Sequence, residues 1–266
     1  MLDPQLNGKR ALITGGATGI GLGIARMLAK EGVRLAVASR HPEAAGIECL
    51  RACGGEVVPI AVDVSTEQGV LRMFEEATEG LGGLDIFINN AAMARNEPVT
   101  RLTADAFEQV FRTNTLAAVL GCREAARRFI AQKSGCILIV GSTSRLTPSY
   151  GDLSYRLSKT GLKALMEQMA LELAPHYIRA NLLTPGHFPT RLTAGLAEAS
   201  ADKLRGEIPL RRFGDPMEEL GAAALLLLSD HLSAYTTGAE LVVDGGLTLR
   251  PINFWNDDEL LSLNNP

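Results

Sequence analysis

The amino-acid sequence predicts an α/β protein built on a doubly wound parallel sheet of seven strands with helices on both faces. Apolar β-type runs alternate with helical patterns from end to end, the order that lays strands side by side with right-handed helical crossovers between them. The runs are nearly continuous in apolar residues, as strands covered on both faces are. Polar and glycine residues collect where the runs stop: Thr14-Gly15, Ser39-Arg40, Asp63, Asn89-Asn90, Ser142 and Pro185-Gly186 each end a different one. Ligands of such sheets bind beyond the carboxyl ends of the strands, so these residues are expected to form one site along one edge.

The expected strands are Arg10–Thr14, Arg34–Ser39, Val57–Val62, Leu84–Asn89, Cys136–Gly141, Ile178–Thr184 and Glu240–Asp244. Between the first two, Ile20, Ile24 and Leu28 recur every fourth residue, one face of a helix. Longer helical patterns cover Ala104–Ala131 and Ser154–Ala174. The apolar stretch Ala222–Leu228 reads as a buried helix, because crossing a bilayer takes about 20 residues.

A length of 266 residues with 46% hydrophobic content suits one domain over 1–266, with a core at 8–246 and a tail at 247–266. A net charge of -4 argues against nucleic acid as a partner. The start, Met1 to Gly8, lacks the basic-then-apolar profile of a signal peptide, so a soluble cytoplasmic protein is expected. Cys49, Cys53, Cys122 and Cys136 are too scattered for a disulfide framework and are expected to be free thiols with no metal.

After the first strand comes Thr14-Gly15-Gly16-Ala17-Thr18-Gly19-Ile20-Gly21, then a helix. Glycines there let backbone approach a pyrophosphate, and the helix start offers free N–H groups and a favourable dipole. Taken alone, such a run is also an ordinary glycine-rich turn. In context it resembles the T-G-x-x-x-G-x-G of the short-chain dehydrogenase/reductase family, classical type. Asp63-Val64 is similar to that family's adenine-contacting pair. Asn89-Asn90-Ala91-Ala92 resembles its N-N-A-G, with alanine for the last glycine. Asn114, Ser142, Tyr155 and Lys159 match its catalytic positions, and Pro185-Gly186 its turn beside the nicotinamide. The resemblance covers about residues 8–246 and is far more specific as an ordered set than any single motif. It implies a Rossmann-type fold, a nicotinamide cofactor and a homo-oligomer, expected to be a tetramer, that pairs through Ala104–Ala131 and Ser154–Ala174.

Gly15, Thr18, Gly19, Ile20, Gly21, Ser39, Arg40, Asp63, Val64, Asn90, Ala91, Tyr155, Lys159, Pro185, Gly186 and Phe188 are therefore the expected cofactor residues. An acidic residue ending the second strand would grip a ribose 2′-hydroxyl and repel a 2′-phosphate. Here the stretch reads Ala38-Ser39-Arg40-His41. Ser39 is neutral and Arg40 can meet a phosphate with charge-assisted hydrogen bonds, so NADP(H) is expected over NAD(H). A solvated surface arginine is the alternative.

Tyr155 and Lys159 are four residues apart and share a helix face. A free tyrosine has a pKa near 10, and a lysine cation about 4 Å away favours the phenolate by roughly 4 kcal/mol at an effective dielectric of 20. That corresponds to about three pKa units and would bring Tyr155 towards its working range. Most such pairs are surface pairs; Ser142, ending the fifth strand, is what makes this one a candidate for proton transfer. The resemblance implies that Ser142 orients the carbonyl, that Lys159 also holds the nicotinamide ribose, and that Asn114 holds a relay water. For Asn114 a capping or kink role stays open.

Thr143–Leu153 and His187–Leu210 are expected to shape the substrate pocket, the second as a mobile lid. Arg95, Arg145 and Arg191 are candidates to clamp a carboxylate, against the ordinary case of solvated loop arginines. Tyr150, His187 and Phe188 are candidate lining residues. The expected substrate is a small polar ketone, a keto sugar acid or a polyol, and the Phe188–Thr190 stretch resembles that of gluconate 5-dehydrogenases. Two alternatives are a 3-oxoacyl thioester reductase and a non-catalytic NADP-binding regulator. The tail, with Leu249, Ile252, Phe254 and Trp255, is apolar enough to pack across a neighbouring subunit or fold back on its own.

Overall fold

A computed structural model of the chain describes residues 3–189 and 198–249. The elements run β1 (Arg10–Thr14), α1 (Gly19–Lys30), β2 (Arg34–Ser39), α2 (Ala44–Ala52), β3 (Val57–Ala61), α3 (Glu67–Leu81), β4 (Ile86–Asn89), α4 (Ala104–Phe111), α5 (Ala117–Gln132), β5 (Gly135–Val140), α6 (Leu153–Leu173), β6 (Ile178–Pro185), α7 (Glu198–Glu207), α8 (Ala222–Leu228), α9 (Asp230–Ser233) and β7 (Glu240–Val243). The seven strands form one sheet in the order β3-β2-β1-β4-β5-β6-β7, parallel throughout. The order reverses between β1 and β4, the crevice where a doubly wound sheet opens to ligand. This is a Rossmann-type sheet, as expected.

Side chains leave a strand alternately to its two faces, and the core divides accordingly. Leu12 joins Ala36, Ile60, Phe74, Phe87, Phe129 and Ile137 under α3, α5 and α6. Its neighbour Ile13 joins Ile24, Leu28, Val37, Leu138 and Leu227 under α1 and α8. Close packing of α1 depends on Gly23: a Cβ there would lie 2.3 Å from the Pro216 carbonyl oxygen.

Three expectations need correction. The 104–131 pattern is not one helix: a π turn at Arg112–Leu116 separates α4 from α5. Coverage on both faces fails at the sheet edge, where Glu240, Leu241 and Val243 of β7 are half-buried and Val242 is exposed. Helix α8 buries Ala224, Leu227 and Leu228 but leaves Leu226 44% exposed, so it is covered on one side only. An edge strand and an outer helix each have a single neighbouring layer. Among the described residues no helix is long and apolar enough to cross a membrane, and the four cysteines are free.

Candidate active site

The first loop is built for close backbone approach. Gly15 has φ +68 and Gly19 φ +54, conformations that side chains rarely adopt. At Gly21 a Cβ would fall 2.3 Å from the Gly15 carbonyl oxygen and 2.5 Å from Asn90 Nδ2. Thr18 stands at the α1 N-cap without a side-chain cap, leaving the helix-start N–H groups for another acceptor. Ile20 is half-buried beside them.

Asn90 serves this loop as a clamp. Its Nδ2 donates to the Thr14 carbonyl at 2.8 Å and to that of Gly15 at 3.2 Å. The Thr14 hydroxyl in turn accepts from the N–H groups of Asn90 and Ala91, both at 2.9 Å. Thr14, which the motif reading left as a strand end, thus ties β1 to β4 across the crevice.

At the end of β2 the Ser39 hydroxyl is buried without a hydrogen-bond partner, a costly state unless something polar is received there. Arg40 beside it is exposed and forms no ion pair among the described residues. Asp63 is exposed, and the Ser65 N–H at 2.9 Å helps hold its carboxyl below the ordinary range, with the Arg40 charge adding to the effect. Val64 is buried in the core. A cradle of glycines, free N–H groups and an orphaned hydroxyl fits a nicotinamide adenine dinucleotide.

Ser142, Tyr155, Lys159 and Asn114 converge at the neighbouring strand end. Ser142 follows β5 and caps the short 3-10 turn Thr143–Arg145, its Oγ accepting from the Ser144 N–H at 3.2 Å and the Ser144 hydroxyl at 3.0 Å. With its lone pairs engaged, the Ser142 hydroxyl is held as a donor. Burial pushes the Tyr155 phenol above its ordinary pKa; the hydrogen bond from Ser142 opposes this, and the Asp152 charge adds to it. Asp152, at the start of α6, is itself raised to about 6 by burial.

Lys159, 2% exposed, donates to the Val140 carbonyl at 2.9 Å, and its Nζ lies 5.8 Å from the centre of the Tyr155 ring. Burial lowers its own pKa to about 8. The expected drop in the Tyr155 pKa is therefore not seen: desolvation outweighs the favourable contribution of Ser142. Asn114, 1% exposed, sits in the π turn. Its Oδ1 accepts from the Met93 N–H at 2.8 Å, and its Nδ2 donates to the Met93 carbonyl and to Ser158 Oγ, both at 2.9 Å. Ser158 Oγ donates to the Tyr155 carbonyl at 2.7 Å. Both amide hydrogens are thus used in bracing α6 against the Met93 segment, and Oδ1 keeps one lone pair for a further donor. The kink that the sequence left open is real.

The pocket residues fare less well. Arg145 is not a free clamp: its guanidinium pairs with both oxygens of Glu240, with the two side chains 13% and 12% exposed. Arg95 pairs with Glu97 at 2.8 Å. Tyr150 is 91% exposed. Phe188 is a core side chain, 4% exposed and packed on Gly214, where a Cβ would meet its ring at 2.3 Å. With His187 it borders a cavity of about 100 Å³ that Leu210, Arg212 and Asp244 also line. His187 meets Phe213 edge-on at 6.3 Å. Pro185 ends β6, and Gly186 lies against Asp244, where a Cβ would come within 2.7 Å. Within the expected lid, Glu198–Glu207 is helical; Arg191 and the tail beyond Leu249 lie outside the described residues. Ser144, Arg156 and Glu240 had no role in the sequence reading; the Ser-x-Ser spacing at 142–144 was the one available signal.

Residues 15–248 match the family model described as enoyl-(acyl carrier protein) reductase. The chain is 36% identical to a 3-oxoacyl-[acyl-carrier-protein] reductase of Chlamydia pneumoniae, over 93% of this chain and 100% of that one. It is 34% identical to glucose 1-dehydrogenase 2 of Bacillus subtilis, over 93% and 97%. A crystal structure of a short-chain type dehydrogenase/reductase from Mycobacterium marinum superposes with a TM-score of 0.86 at 35% identity, covering 92% of this chain and 98% of that one. Sheet order, glycine cradle and these likenesses agree: the chain belongs to the short-chain dehydrogenase/reductase family, oxidoreductases acting between CH–OH and C=O groups.

Proposed function

We propose that the protein is an NADP(H)-dependent oxidoreductase that interconverts a ketone and a secondary alcohol on a small, polar, hydroxyl-rich substrate. The observation that carries the reaction is the Ser142 hydroxyl, held as a donor by its two contacts from Ser144 and acting on the buried Tyr155 phenol, whose pKa it lowers against burial. A nicotinamide dinucleotide held by the glycine cradle would supply or accept hydride at the substrate carbon. Tyr155, protonated at neutral pH as a phenol that burial holds above its ordinary pKa, gives its proton to the carbonyl oxygen. Ser142 donates a hydrogen bond to the same oxygen, and Lys159 holds ribose hydroxyls and passes a proton back to Tyr155. Asn114 braces α6 through Ser158 and holds a water that links Lys159 to solvent.

Among the polar substrates, a neutral polyol or keto sugar is preferred over a keto acid. Arg145 is committed to Glu240 and Arg95 to Glu97, while the Asp152 carboxylate stands near Tyr155. The likeness to glucose 1-dehydrogenase 2 supports that class. The likeness to 3-oxoacyl-[acyl-carrier-protein] reductases favours a second reading, a 3-oxoacyl thioester substrate. Following NADPH absorbance with dihydroxyacetone, keto sugars, keto sugar acids and acetoacetyl-CoA decides between them. Preference for the thioester rejects the first reading, and no turnover of any ketone rejects both in favour of a dinucleotide-binding regulator.

The orphaned Ser39 hydroxyl and the unpaired Arg40 support NADP(H). Arg40→Ala is expected to raise the NADPH dissociation constant roughly 10- to 100-fold, the worth of a charge-assisted phosphate contact, and to leave NADH binding within about twofold. Equal losses for the two cofactors in a fluorescence titration would remove the 2′-phosphate role.

A homotetramer is the proposed assembly, pairing first through α5 and α6. Val119, Ile130, Leu153 and Leu157 on these helices are each 37–44% exposed, an apolar surface that a second copy would cover. Val119→Asp with Leu157→Asp should halve the mass found by light scattering; an unchanged mass would place the interface elsewhere. The tail, proposed to cross a neighbouring subunit near the substrate opening, is tested by deleting Ile252–Pro266 in the same experiment.

A further inference from the structure

Glu240 opens β7 as a charged residue on an otherwise apolar strand, and three other segments meet its carboxylate. Arg145 pairs with both oxygens. Thr184 of β6 donates its hydroxyl to Oε1 at 2.7 Å, and Lys163 of α6 places Nζ 3.4 Å from Oε2. These partners keep the carboxyl below its ordinary pKa in spite of burial.

Arg145 closes the 3-10 turn that Ser142 caps. The same turn is held from the other side by Arg156, whose Nε donates to the Ser144 carbonyl at 3.1 Å. Arg156 directly follows Tyr155, and Lys163 lies one turn beyond Lys159 on α6. Glu240 therefore joins the turn carrying Ser142 to the helix carrying Tyr155 and Lys159. Stability alone does not call for this arrangement. A buried ion pair is often no better than apolar residues of similar size, and here Arg145 Nε is left buried without a partner.

We propose that Glu240 is a positioning residue for the reaction: through Arg145 it fixes where the Ser142 hydroxyl stands relative to the Tyr155 phenol. The proposal rests on the reading that Ser142 and Tyr155 carry the chemistry. Its effect belongs in turnover, because a misplacement of about 1 Å can cost on the order of 100-fold in rate. The partners of the Glu240 carboxylate, Arg145, Thr184 and Lys163, include none of the residues assigned to the dinucleotide, so NADPH affinity is expected to change little.

The test is a double-mutant cycle between Glu240→Gln and Ser142→Ala. It uses NADPH and the ketone turned over fastest by the unmodified protein, with kcat, KM, NADPH dissociation constant and Tm measured for each variant. Glu240→Gln is expected to lower kcat about 10- to 100-fold while the NADPH dissociation constant stays within about twofold. In the Ser142→Ala background the same change should cost less than about twofold, since the group being positioned is gone. Arg145→Met with Glu240→Leu, which leaves neither pair member charged, keeps the test usable where Glu240→Gln strands a buried guanidinium. It should show the same loss of kcat at near-native Tm. Losses that multiply across the cycle, or full kcat in the folded Arg145→Met, Glu240→Leu protein, overturn the proposal. Full kcat in Ser142→Ala alone overturns both this proposal and the reading of the site beneath it.

Discussion

Tyr155→Phe is expected to lower kcat by about 10³-fold, within the range that a general acid contributes, with the NADPH dissociation constant within about threefold of normal. The substitution removes one oxygen and leaves the ring that lies beside Lys159. Ser142 keeps its contacts to Ser144. Because burial raises the phenol pKa, the unmodified enzyme keeps its acid through neutral pH. Ketone reduction should therefore stay level until pH rises through that pKa, whereas alcohol oxidation, which needs the phenolate, should rise with pH. Single-turnover rates measured in both directions check this. A Tyr155→Phe protein that turns over ketone normally would end the proposed mechanism.

Lys159→Met should separate stability from activity. Burial lowers the Lys159 pKa from 10.5 to about 8, so the unfolded chain binds the extra proton more strongly. The resulting penalty is fully present below pH 8, at about 3 kcal/mol. It is relieved as pH rises from about 8 towards 10.5, so stability contributed by this residue increases over that window. Methionine removes the penalty and loses the bond to the Val140 carbonyl, worth about 1 kcal/mol. The variant is expected to be more stable by about 2 kcal/mol at pH 7, with that gain shrinking above pH 8, while turnover falls at least about 100-fold. Denaturant unfolding at pH 7 and pH 10 measures the first effect. A variant less stable than the parent at pH 7 would show that the ammonium is better compensated than its surroundings indicate.

The strands were legible because a buried parallel strand must be a short apolar run: β1 and β2 have the expected bounds, and the others differ by one or two residues. The break at Arg112–Leu116 was not legible, since a π turn inserts one residue without disturbing the apolar pattern on either side. Asn114 was the only hint, a poor helix former in mid-helix. The four residues proposed for the chemistry were named from the family resemblance, with the four-residue spacing adding that Tyr155 and Lys159 share a helix face, and the structure brings them together around Tyr155. The arginines were misjudged for a different reason. Arg145 looks like any loop arginine until its partner is known, and Glu240 lies 95 residues away in the chain.

By itself, then, the order of residues determined the layered sheet, the glycine cradle and the Tyr155–Lys159 helix face. Each follows from local periodicity or from short-range spacing that backbone geometry converts directly into position. The tertiary structure alone decided which charges pair with each other, where Phe188 and Arg145 turn inward, and that burial raises the Tyr155 pKa rather than lowering it. Those outcomes depend on desolvation and on partners brought from distant segments, and both exist only once the chain has packed.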